Sequence, residues 1–141
     1  MMFRDLLTDA SMNAEEQQRF AAAHFPDELS AHGMRLWRPG ESYSLVAERY
    51  LLGVATYSVD DLKLMDMVDF DMRNGRFGEA SLDFFDMSRI KRMAEFEEYI
   101  PGITPVNQSP ILGVWRDGIL VERLQGYAAR RRLISLAAGR K

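Results

Sequence analysis

Few residues in this chain can do polar chemistry, and the densest group is Ser58-Val-Asp-Asp61, directly after Tyr57. A serine hydroxyl becomes a nucleophile only with a base beside it, and neither His24 nor His32 lies near Ser58 in sequence. The simpler physics of Ser58, Val59, Asp60 and Asp61 is helix initiation. Ser58 caps, and the two carboxylates favour the positive end of the helix dipole. The same carboxylates oppose an incoming phosphate, which argues against an anion site there. No metal site follows from the histidines, which fall eight residues apart on a broken helical pattern. Asp69-Phe-Asp71-Met-Arg-Asn-Gly75 has the spaced carboxylates of a calcium loop. Its glycine comes one place late, and Ala80 stands where a bidentate glutamate is needed, so it reads as a helix end.

The chain has no cysteine, which removes disulfides, thiolate metal ligands and thiol chemistry without fixing a compartment. With 141 residues it fits one domain able to bury a core unaided. Its N-terminus lacks the basic start and long apolar core of a signal peptide, and no apolar run approaches the ~18 residues of a membrane helix. The expectation is therefore a soluble, cytoplasmic protein. The net charge of -3 divides unevenly: residues 116–141 carry +5 and residues 1–115 carry -8. Arg130-Arg-Arg132 is one short basic run with few interleaved aromatics, so a solvated helix face is favoured over nucleic-acid binding.

The elements that must position these residues can be read in order. Asn13-Ala-Glu-Glu16 caps a helix through Phe25, and Pro26 and Gly33 bound a second short one. Residues 1–33 thus form a helical extension that either packs on the sheet or serves as a dimerisation arm. Met34–Arg38 suits a short strand, residues 41–48 carry no clear pattern, and Tyr50–Tyr57 is an apolar run of the kind buried on both faces of a parallel sheet. A helix follows over 60–74, with Lys63, Asp66, Asp69 and Arg73 as its polar stripe. Its Met-rich remainder is either covered by the extension or offered to a partner, including a second copy of the chain. Ala80–Met87 reads as the next strand, and Ser88 caps a helix running through Ile100. Pro110 opens an apolar strand, Ile111–Trp115. Asp117-Gly118 is a hairpin turn, Ile119–Leu124 returns, and Gly126 precedes a final helix from Tyr127.

Proline, strand, Asp-Gly turn, strand, glycine and helix is the order in which thioredoxin-like domains end. The chain from 34 to 141 resembles that superfamily: an α/β fold with a central mixed sheet flanked by helices, here with an N-terminal helical extension. The resemblance implies that the Ser109-Pro110 bond is cis and faces the active-site position, Ser58-Val-Asp-Asp61, where the family carries Cys-x-x-Cys. Ser58 and Asp61 replace the two cysteines, Tyr57 stands at the usual tryptophan, and Leu52 stands where redox-active relatives often bury an acid. The chain is therefore expected not to be a redox enzyme and to need no cofactor.

Cysteine-less members of the superfamily include assembly chaperones and scaffold-like proteins, among them bacterial hydrogenase-maturation factors. The resemblance thus implies a protein or peptide partner docked in a groove lined by Tyr57, Ser109 and Pro110, with Ser58 at its edge. Glutathione transferases share the thioredoxin-like domain and can use a serine or tyrosine hydroxyl here. A glutathione-dependent enzyme using Ser58 or Tyr57 is the alternative, although the second, all-helical domain of that family is missing.

Overall fold

A computed structural model describes residues 34–139. The helical extension expected over 1–33, with any dimer contact through it, lies outside those residues. Five strands form one mixed sheet: β1 (Arg35–Leu36), β2 (Glu48–Val54), β3 (Ser81–Asp86), β4 (Ile111–Arg116) and β5 (Ile119–Gln125). Their spatial order is β1-β3-β2-β4-β5. β1 and β2 both run parallel to β3, β4 is antiparallel to β2, and β5 is antiparallel to β4. Parallel neighbours need a long crossover, and between β2 and β3 it is α1 (Val59–Arg73). α3 (Tyr127–Ala137) closes the described chain, and between β3 and β4 lies a one-turn helix, α2 (Phe96–Tyr99).

The side chains of β2 alternate between two cores. Tyr50, Leu52 and Val54 face α1 and α3, where they join Leu62, Met65, Val68, Ala129 and Leu133. Leu51 faces the opposite layer with Phe85, Phe96, Ile100, Ile103, Val106 and Ile111. β2 is central, so both faces are covered and the run from Tyr50 to Val54 is apolar. At Gly53 a Cβ would lie 2.5 Å from the Phe85 ring and 2.7 Å from Ile111, which leaves glycine as the residue that fits.

The β4–β5 turn follows the expected chemistry, with Asp117 at φ 52° and Gly118 at φ 80°, the left-handed pair of a tight hairpin. The expected strand over 50–57 begins two residues earlier, at Glu48, and ends at Val54. It stops because the Ser58 N–H bonds back to the Ala55 carbonyl at 3.0 Å, turning Ala55–Ser58 toward α1.

The long helix expected from Ser88 through Ile100 is not formed. Two 3-10 turns, Met87–Arg89 and Met93–Glu95, and α2 take its place. Asp86, not Ser88, caps the first turn, and Ile90 and Arg92 are extended. The apolar spacing there serves to hook an irregular segment onto the sheet. Asp69, expected on the polar stripe of α1, is buried and paired with Arg73 at 3.1 Å.

Candidate functional site

The turn from β2 into α1 is built around one carboxylate. Ser58 is the N-cap of α1, and its Oγ accepts the Asp61 N–H at 3.3 Å, as the sequence pattern predicts. Asp61 then turns inward. Its side chain is buried, and Oδ2 accepts the Ala55 N–H at 2.9 Å. Burial raises the Asp61 pKa above the ordinary carboxylate value. The Ala55 N–H, hydroxyls of Ser109 and Ser58, and the charge of Arg130 on α3 pull it the other way. Asp60 and Tyr57 are exposed, Tyr57 at 64 %, while Ser58 and Val59 are half-buried.

The second wall is the loop 101–110. The Ser109–Pro110 bond is cis, as the resemblance implies, and so is Thr104–Pro105, which the sequence reading did not anticipate. Three backbone groups of this loop are held by one side chain: Gln125 Nε2 donates to the Ile103 and Pro105 carbonyls, each at 2.9 Å, and its Oε1 accepts the Asn107 N–H at 3.2 Å. Glu97 holds the loop's start by accepting from Gly102 N–H at 2.9 Å, Thr104 N–H at 3.0 Å and the Thr104 hydroxyl at 2.8 Å. These bonds draw the Glu97 pKa below its ordinary value. The Gly126 N–H bonds to the Pro110 carbonyl at 2.7 Å and fixes the end of the loop to β5.

Between these walls runs an open groove of about 520 Å³ lined by Tyr57, Met87, Ser88, Ile90, Phe96, Val106, Asn107, Gln108 and Ser109. Of the residues singled out in the sequence, Tyr57 and Ser109 line it. Pro110 is buried beneath the loop, and Ser58, Val59, Asp60 and Asp61 are not among its lining residues. One edge of the groove is stiffened by Asp86, whose Oδ1 accepts the Ser88 N–H at 2.9 Å and hydroxyl at 2.6 Å. Ser88 Oγ in turn lies 2.9 Å from Thr56 Oγ1. No backbone–backbone hydrogen bond among the described residues engages the N–H or C=O of Ser109.

The roles of Gln125, Glu97 and Asp86 carry little trace in the sequence, and Ser88 reads there only as a helix cap. Only Asp86-x-Ser88 carries a local signal, that of an aspartate turning onto the second residue ahead. Among the described residues, no group of three or more His, Asp or Glu side chains is arranged to hold a metal ion, and no helix is long and apolar enough to cross a membrane. No protein-family model matches the chain, and comparison with curated proteins brings no match.

Proposed function

We propose that this is a non-redox, thioredoxin-like protein that binds an extended polypeptide in the groove between Tyr57 and Ser109, acting as an assembly chaperone or adaptor. The thioredoxin-like reading is supported by the strand order β1-β3-β2-β4-β5, by α1 after β2 and α3 after β5, and by the meeting of the loop 101–110 with the start of α1. The observation that carries the binding role is Ser109: it lines the groove, and no described backbone group pairs with its N–H or C=O. An extended chain laid along that wall would pair with both groups, each net bond contributing about 0.5–1.5 kcal/mol. Phe96, Val106, Ile90 and Met87 would take its apolar side chains. In this reading Asp61 and Ser58 shape the turn and transfer no electrons, and the protein works in the cytoplasm without a cofactor.

An array of immobilised decapeptides probed with the full chain tests the proposal. The wild type is expected to retain a subset rich in apolar residues. Asn107→Trp, which fills the groove from an exposed position, is expected to weaken retention about tenfold or more. Equal retention by the variant, or none by the wild type, would remove the peptide role. Amide shifts at Tyr57 to Asp61 on adding glutathione would favour the glutathione-dependent enzyme instead.

A further inference from the structure

At the other end of β2, about 20 Å along the strand from Ala55, a second cavity surrounds Arg49. Arg49 falls on the same face of β2 as Leu51 and Gly53, where an apolar residue would be expected, and it is 5 % exposed. Three rings enclose its guanidinium: the Cζ atom lies 4.2 Å from the centroid of Tyr43 and 4.8 Å from those of Trp37 and Trp115. Ring faces attract the charge and recover part of the desolvation cost, but they accept nothing from the in-plane N–H groups. Asp83 is the counter-ion, yet its Oδ2 stands 3.9 Å from Arg49 Nη2 and is engaged at 3.1 Å by Arg35. Nε and Nη2 of Arg49 are left buried with no hydrogen-bond partner. A buried donor without an acceptor is costly, and a ligand that supplies the acceptor recovers that cost.

Arg49 lines a cavity of about 420 Å³, together with Tyr43, Val46, Ala47, Trp115 and Asp117. Volumes of this order hold small organic ligands. We propose that this cavity binds a small aromatic monocarboxylate, its carboxylate on the Arg49 guanidinium and its ring in the part of the cavity lined by Val46, Ala47 and Trp115. Two carboxylate oxygens match the guanidinium fork. The walls favour an apolar ring, since Tyr43, Leu45, Val46, Ala47 and Trp115 all line the cavity. The nearby carboxylates of Asp83 and Asp117 oppose a second negative charge, so a monoanion that engages the Arg49 donors is favoured over a dianion such as phosphate. Because Nε and Nη2 are buried, a ligand reaches them as the cage opens, and Tyr43, 47 % exposed on a segment with no regular structure, is the most exposed ring of the cage.

The chain's two tryptophans, Trp37 and Trp115, both flank Arg49, so tryptophan emission reads this site directly. Benzoate added to the full chain is expected to change emission saturably and to shift the amides of Ala47, Trp115 and Gly118. Benzamide, which has the same shape without the charge, is expected to bind about tenfold more weakly or worse, and inorganic phosphate not at all. Arg49→Met should abolish the response. Should that variant fail to fold, Val46→Glu places a negative charge on the cavity wall and is expected to weaken benzoate about tenfold. No saturable response to benzoate, equal binding of benzamide, tighter binding of phosphate, or unchanged affinity in Val46→Glu would each overturn the assignment. The peptide groove is read by separate amides, Tyr57 and Ser109, so either site can fail without the other.

Discussion

The Asp61 carboxylate accepts the Ala55 N–H at 2.9 Å and ties the end of β2 to the first turn of α1. A buried acid with this partner shapes the turn at a cost, because burial raises its pKa in the folded state. The folded chain then holds the Asp61 proton more tightly than the unfolded chain does. The group's contribution to stability is fully present below the unfolded pKa of about 3.9 and is lost as pH rises through the raised folded value. Asp61→Asn keeps an oxygen for Ala55 and removes the charge. Urea midpoints measured against pH are expected to show the variant gaining on the wild type as pH rises from about 4 to neutrality. A constant difference across that range would mean that Asp61 is not the group responsible.

Gln125 holds the groove's loop through two donated bonds and one accepted bond. In Gln125→Ala these groups turn to water, so global stability is expected to fall by only about 1–2 kcal/mol. The local effect should be larger, with faster hydrogen exchange at the Asn107 N–H and weaker retention on the peptide array.

Glu97 accepts three bonds from Gly102 and Thr104, and its lowered pKa gives the opposite pH dependence to Asp61. Its contribution is present above the unfolded carboxylate pKa of about 4.3 and is lost as pH falls through the lower folded value. Exchange at the Gly102 and Thr104 amides, corrected for intrinsic rates, is expected to accelerate on acidification in the wild type. In Glu97→Gln the same amides should respond little to pH.

Gly53 sits where a Cβ would meet Phe85 and Ile111, both of them buried side chains in a filled layer. Overpacking of this kind costs about 1–3 kcal/mol, so Gly53→Ala is expected to lower the unfolding free energy measured in urea by that amount.

Features that depend on neighbours in sequence were legible. β2 is apolar from Tyr50 to Val54 because both its faces are covered, Asp117-Gly118 carries the positive φ of a hairpin turn, and Ser58 caps α1 at the expected position. Features set by distant partners were not. The spacing of Ile90, Met93, Phe96 and Ile100 suits a helix, but Asp86 bonds to Ser88 and turns the chain before a helix can start. Gln125 reads as an ordinary polar strand end until the loop at 103–107 folds over it. Arg49 carries no local signal at all, since its aromatic cage is gathered from Trp37, Tyr43 and Trp115. At the candidate site, Tyr57 and Ser109 were named and do line the groove, whereas its supports, Gln125 and Asp86, were not.

In the proposed function an extended chain pairs with the Ser109 backbone. Hydrogen exchange at the Ser109 N–H, measured on the full chain with and without a decapeptide retained by the array, tests this most directly. Slowing by about tenfold or more at Ser109, with smaller effects at Asn107 and Tyr57, is the result expected of a new backbone hydrogen bond. Unchanged exchange at Ser109 while the peptide is bound would place the peptide elsewhere and contradict the account.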